Sequence, residues 1–354
     1  MARATEPLQP GRRGLLASAF TATVGAFLPK GAQAEQKPAA DLSEPLGICL
    51  EGWPYPGPVE FLPLEMAGEP VRMAYMDFQP EGAGNGRAIL LLHGKNFDSS
   101  YWAGPIAFLR RAGFRVVVPD QIGFNKSSKP LCAYTFDALA AHTLALADFL
   151  GVKDFALLGH STGGMLAVRL ASLAPERISR LLLEDPIGLI DYRLYIPPQS
   201  VATLEAAERA QTPESYRAFV ARYFPKLPPA DYEPFVAWRL RMAGSGDYPR
   251  FLRVVALTYQ MIYQNPVRGF FARLKAPVLL MAGDQDHGVP LVSYASPEMR
   301  GKILGLIEAA REVVLEIPDG KLVEFAGLGH VPHLEAPEQF EKAVLGFLAT
   351  EKGR

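Results

Sequence analysis

The chain has 354 residues, a formal net charge of −1, 49% hydrophobic residues and 21% charged residues. That length can bury a large core, as one α/β domain with an insertion or as two domains. The balance excludes a disordered chain, and a charge this small gives no electrostatic footprint for nucleic acid.

The first residues differ from the rest. Arg12-Arg13 precede Gly14-Leu15-Leu16 and an apolar run from Ala17 to Leu28, which closes with Ala32-Gln33-Ala34. A basic start, an apolar stretch and a small-x-small site predict a signal peptide over 1–34, and the paired arginines point to the twin-arginine kind. The run is too short for a comfortable membrane span. The expectation is an exported protein, periplasmic or secreted, with no stable membrane insertion after cleavage. Residues 35–58, rich in Pro, Gly and polar groups, read as an extended lead-in. Cys49 and Cys132 lie far apart and outside any CxxC, which argues against zinc; an exported chain leaves a disulfide between them open.

From residue 59 the pattern is strand, loop, helix, strand. Phe61–Met66 and Val71–Phe78 read as an antiparallel hairpin across Ala67-Gly68-Glu69-Pro70. Ala88–Leu92 is wholly apolar, as a strand covered on both faces must be. A helix near Ile106–Ala112, a strand at Arg115–Val118 and a helix over Phe136–Leu150, stopped by Gly151, follow. Strands at Phe155–Leu158 and Arg180–Leu183 flank a helix over Gly163–Leu173. At Ile187 the alternation stops. Four helical segments (Val201–Ala210, Pro213–Tyr223, Asp231–Met242, Tyr248–Gln264) fill 187–275 and predict a helical cap. A strand at Pro277–Ala282, a helix at Pro297–Arg311, a strand at Leu322–Phe325 and a helix at Pro337–Ala349 complete the chain. Residues 59–186 and 276–354 therefore form one core, a mostly parallel sheet with helices on both faces.

The chemistry sits where strands end. Gly159-His160-Ser161-Thr162-Gly163 is a G-x-S-x-G turn between a strand and a helix, with glycines where the two elements cross and a serine at the tip. A serine hydroxyl needs a base, and the base needs an orienting acid. His330 follows the last strand in Gly329-His330-Val331-Pro332 and is the preferred base over His333. His93 reads as a packed histidine, and His142 lies inside a helix. Asp286, in Gly283-Asp284-Gln285-Asp286, is the preferred acid. Asp284 is assigned to holding the turn through backbone hydrogen bonds. Asp185 and Glu184, after the preceding strand, are the second option. The oxyanion of acyl transfer needs backbone donors. Thr162, after the nucleophile, supplies one, and Lys95 in His93-Gly94-Lys95 supplies the other, with Asn96 as a further candidate.

These motifs, together with Asp120-Gln121-Ile122-Gly123-Phe124-Asn125-Lys126-Ser127, resemble the α/β-hydrolase superfamily in type and order across residues 60–350. The closest resemblance is to the branch with a His-Gly oxyanion loop, a Ser-Asp-His triad and a helical cap. The Asp-x-x-Gly-x-x-x-Ser run is similar to a structural turn near the active site of that family. Asn96-Phe97 stands where Pro or Gly is often found, which bears on the second oxyanion donor. Epoxide hydrolases and haloalkane dehalogenases of this branch carry Asp where this chain has Ser161, because displacement at saturated carbon needs a carboxylate. Serine implies an acyl-enzyme and a serine esterase-type activity on a small hydrophobic substrate. A C–C bond hydrolase or lactonase using the same triad is the alternative, and a non-catalytic binding protein of the same fold is the remote one. No metal or organic cofactor is implied. Phe97, Phe124, His160, Tyr192, Tyr259 and Met261 are the candidate pocket residues, drawn in part from the aromatic-rich cap.

Overall fold

The computed structural model describes residues 44–349. The signal segment expected over 1–34 and the start of the lead-in lie outside the described residues. Eight strands form one sheet in the order β1-β2-β4-β3-β5-β6-β7-β8. β1 (Glu60–Met66) and β2 (Glu69–Phe78) make the expected hairpin, closed by Ala67 and Gly68 at positive φ, as a two-residue turn between twisted strands requires. β2 also pairs antiparallel with β4 (Arg115–Pro119). From β4 through β3 (Ala88–Leu92), β5 (Phe155–His160), β6 (Ile178–Glu184), β7 (Val278–Gly283) and β8 (Gly320–Phe325) every pairing is parallel.

The apolar strands bury both faces by alternation. Leu90, Leu92, Phe155, Leu157, Val278 and Leu280 enter one core, and Ile89, Leu91, Ala156, Leu158, Leu279 and Met281 enter the other. Helices α1 (Ala103–Arg111), α2 (Phe136–Phe149) and α3 (Thr162–Leu173) follow β3, β4 and β5 in turn. α2 and α3 pack on the first core and α1 on the second. The insertion after β6 holds α4 (Val201–Arg209), α5 (Pro213–Ala221), α6 (Pro229–Met242) and α7 (Tyr248–Gln264), and no strand among the described residues. α5 starts in a capping box, Thr212 with Ser215.

The helix expected over Pro297–Arg311 is two pieces, α8 (Pro297–Arg300) and α9 (Leu306–Val314). Gly301 ends the first and Gly305 caps the second, because glycine gives up helical order readily. α10 (Pro332–Glu335) and α11 (Pro337–Ala349) end the described chain, with α11 packed on the second core beside α1. The lead-in also differs from expectation. Leu46, Ile48 and Leu50 are buried against Trp238, Met242, Phe251, Leu252 and Val255 of α6 and α7. Lys126 Nζ donates to the carbonyls of Leu50 and Trp53 from the core side. The lead-in therefore ties the insertion to the core. Cys49 and Cys132 are separate free thiols.

Candidate active site

Ser161 stands between β5 and α3 with φ 55° and ψ −116°, a backbone strain that few non-glycine residues carry. The turn is tight enough to exclude side chains around it. A Cβ at Gly159 would enter Gly163's carbonyl, and one at Gly163 would enter the carbonyl of Leu92. The Ser161 N–H donates to Glu184 O at 3.0 Å, and its carbonyl accepts from Gly164 N at 2.9 Å. The residue thus stays anchored and is only 7% exposed.

Two neighbouring strand ends deliver His330 and Asp286, the expected base and acid. Asp286, three residues past β7, accepts the His330 Nδ1 proton through Oδ2 at 2.6 Å. Its other oxygen accepts from Gly288 N at 2.8 Å. His330 is fixed from both sides: its N–H donates to Tyr223 O at 3.0 Å, and its carbonyl accepts from His160 Nε2 at 2.7 Å. Asp284 Oδ1 accepts from Gly327 N at 2.6 Å, so it braces the loop leading to His330. Glu335 Oε1 accepts from Gly329 N at 2.6 Å and braces that loop from the other end.

The second-option acids do other work. Glu184 accepts from His333 N at 2.9 Å and from His333 Nδ1 at 2.8 Å, fully buried. Both ring nitrogens of His333 are thereby engaged, Nδ1 with Glu184 and Nε2 with Tyr101 O at 3.2 Å. Asp185 holds φ 38° and accepts Gly283 N at 2.9 Å through Oδ1. Its Oδ2 is buried with no hydrogen-bond partner among the described residues. Burial, and then the charge of Asp286, push the Asp185 pKa well above the usual carboxylate range. The acid groups of Asp185 and Asp286 and a ring nitrogen of His330 all lie within 4.8 Å of one another. Two carboxyls that close and that buried cannot both ionise readily, so Asp185 is the one that keeps its proton.

The oxyanion loop lies directly on the nucleophile. A Cβ at Gly94 would sit 3.2 Å from Ser161 Cβ and 2.8 Å from His160 Nδ1. Thr162 opens α3, where the N–H has no intrahelical acceptor. The Lys95 N–H meets no protein acceptor among the described residues. A relay fixes this loop: Gly94 N donates to Tyr101 Oη (3.0 Å), and Tyr101 Oη lies 3.1 Å from His160 Nδ1. Burial first, then the neighbouring His330, drives the His160 pKa well below its ordinary value. The ring is therefore neutral, with its single proton on Nε2 pointing at the His330 carbonyl.

Of the six expected pocket residues, Phe124 lines the cavity beside the oxyanion loop. That cavity measures about 20 Å³, room for about one water, and Lys95, Asn96, Ile48, Leu50, Trp238 and Arg239 are among its walls. Tyr259 lies under Lys95, with the amine 4.1 Å from the ring centre. The other four have their own contacts. Phe97 stacks on Tyr101 at 5.2 Å inside the second core. His160 is spent on holding His330. The Tyr192 hydroxyl accepts from Gly188 N at 2.8 Å, and Met261 is buried in the first core. Sequence reasoning missed Tyr223, whose ring stacks on His330 at 4.6 Å. It also missed Tyr101. Neither sits in a short motif, and only the folded chain brings them to the site.

The sequence pattern of the alpha/beta hydrolase family matches residues 89–343. The chain belongs to the α/β-hydrolase family. A 2-hydroxy-6-oxononadienedioate/2-hydroxy-6-oxononatrienedioate hydrolase of Burkholderia vietnamiensis is 27% identical over 288 residues, covering 79% of this chain and 92% of that one. The crystal structure of a probable hydrolytic enzyme from Pseudomonas aeruginosa PAO1 is 37% identical with a TM-score of 0.85, covering 88% of this chain and 100% of that one. An enol-lactonase from Burkholderia xenovorans LB400 shares the fold at a TM-score of 0.60 and 23% identity, over 79% of this chain and 97% of that one. This hydrolase thus has a serine tip, a buried His–Asp couple and a backbone loop against the serine, each at the carboxyl end of a strand of the sheet.

Proposed function

We propose that this hydrolase cleaves a carboxylic ester or related acyl bond of a small hydrophobic substrate through an acyl-enzyme on Ser161. The observation that carries the reading is the strained Ser161 tip beside a buried His330–Asp286 couple bonded at 2.6 Å. Ser161 Oγ attacks the carbonyl carbon while its proton passes to His330 Nε2. Asp286 keeps the other ring proton on Nδ1 and balances the imidazolium. The N–H groups of Lys95 and Thr162 hold the oxyanion, each worth about 2.7–4 kcal/mol in such sites. The leaving group departs with the proton from His330. Water, deprotonated by His330, then attacks the acyl carbon and frees Ser161.

The kinship to a dienedioate hydrolase supports a second reading, C–C cleavage of a vinylogous diketone. The same triad serves, but the leaving group is a carbon acid rather than an alcohol. A panel of p-nitrophenyl esters of rising acyl length, run beside a chromogenic vinylogous diketone, separates the two. Ser161→Ala should lower kcat on the accepted substrate by at least about 10³-fold. Full activity in that variant would remove Ser161 as the nucleophile.

A further inference from the structure

The hydroxyl of Tyr223 is a polar group near the site that the triad leaves without a task. Tyr223 follows α5 in the insertion, yet it touches both halves of the reaction centre. Its ring lies on the His330 ring, 4.6 Å between centres and 27° between planes. Its hydroxyl oxygen accepts the Asn96 side-chain amide at 3.1 Å. Asn96 directly follows Lys95, so the hydroxyl ends beside the oxyanion loop. A phenol has one proton to give. Because Asn96 donates to the oxygen, the Tyr223 proton must point elsewhere, and among the described residues no acceptor takes it.

A tyrosine hydroxyl inside a protein normally finds a partner. The surroundings here supply none: Phe97 and Phe219 flank the ring at 5.9 Å and 5.0 Å. Burial, and then the charge of Asp286, push the phenol pKa far up, so the group is a donor and not a base at any working pH. The hydroxyl therefore lies between Asn96, next to Lys95, and the His330 ring, the two groups that flank the reacting carbonyl in the acyl-enzyme reading.

We propose that Tyr223 is a catalytic residue whose O–H donates to the acyl oxygen of the bound substrate, beside the Lys95 N–H. This rests on the Ser161 acyl-enzyme reading. It assigns the insertion a third oxyanion donor, so the hole is complete only while Tyr223 lies over the core.

Tyr223→Phe keeps the ring on His330 and removes only the hydroxyl. On a p-nitrophenyl ester, kcat should fall about 10–100-fold while KM changes less than about threefold, because the donor strengthens as charge develops. A boronic acid that forms a tetrahedral anion on Ser161 should lose affinity by the same factor. The acid limb of the kcat/KM profile should stay in place, since the His330–Asp286 bond is untouched. A kcat within twofold of wild type, a loss confined to KM, or a displaced acid limb would overturn the assignment. If the phenylalanine chain does not fold, placing 3-fluorotyrosine at position 223, a stronger O–H donor of nearly the same shape, carries the test: a changed kcat with KM unmoved supports it and an unchanged kcat refutes it. A wild-type enzyme blind to the boronic acid, with Ser161→Ala active, would sink the Ser161 reading instead.

Discussion

Lys95 gives the sharpest physical prediction. Its backbone belongs to the oxyanion loop, but its side chain crosses to α7, where Nζ donates to Thr258 Oγ1 at 2.6 Å and to Val255 O at 3.1 Å. Burial lowers its pKa from 10.5 to about 7; the charge of Glu208 opposes that shift and the charge of Arg239 adds to it. Between about pH 7 and 10.5 the unfolded chain binds a proton here that the folded chain does not, so this residue makes stability rise with pH across that window. Each pH unit is worth about 1.4 kcal/mol, and the whole fall amounts to about 5 kcal/mol, an upper bound because the residue keeps some solvent contact. Against it stand the two hydrogen bonds of the neutral amine, about 1 kcal/mol each. Lys95→Met removes both sides and orphans neither acceptor, since Thr258 Oγ1 still donates to Val255 O at 2.8 Å. The variant should be the more stable chain at pH 6 by up to about 3 kcal/mol and the less stable at pH 10 by about 1 kcal/mol. Urea unfolding of both chains from pH 6 to 10 reads the difference directly. A difference that stays flat with pH would show that Lys95 keeps its ammonium charge and that the argument from burial is wrong.

Asp286→Asn should cost kcat about 10³–10⁴-fold, as loss of the orienting acid does in this kind of triad. Asp185→Asn should stay within about tenfold, because an amide stands in for an acid that is already neutral. A larger kcat loss in the second variant would transfer the orienting role to Asp185. Gly163→Ala drives a methyl into the Leu92 carbonyl, which is backbone of the central sheet and cannot swing aside. It should cost about 3 kcal/mol or prevent folding; an unfolding midpoint within error of wild type would mean that the elbow has slack.

Much of this was legible because the signals are local. Ala88–Leu92 reads as doubly buried since all five residues are apolar, and it is. The hairpin is written in its turn residues, and the base and acid stand in loops whose position follows from the strands before them. What escaped depends on contacts distant in sequence. Nothing near Leu46, Ile48 and Leu50 tells that they cover α6 and α7. The composition of 297–311 suits a helix, and only the two glycines mark the break. His160 sits beside the nucleophile in sequence, yet alternation along β5 turns its ring inward to hold His330. Tyr223 is one aromatic among many in the insertion until its carbonyl and ring are seen on His330.

The insertion is therefore more than a roof. It pins the oxyanion loop twice, through Lys95 to Thr258 and through Asn96 to Tyr223. It pins the histidine loop as well, through the Tyr223 carbonyl on the His330 N–H. Any shift that moves Tyr223 or α7 off the core breaks these same bonds, loosening the oxyanion loop and the base together. Such an opening would therefore undo the arrangement of both loops at once. The lead-in works against that opening, because it ties α6 and α7 to Lys126 on the core side. The arrangement of this site thus depends on residues 46–53 as much as on the strand ends that carry the chemistry.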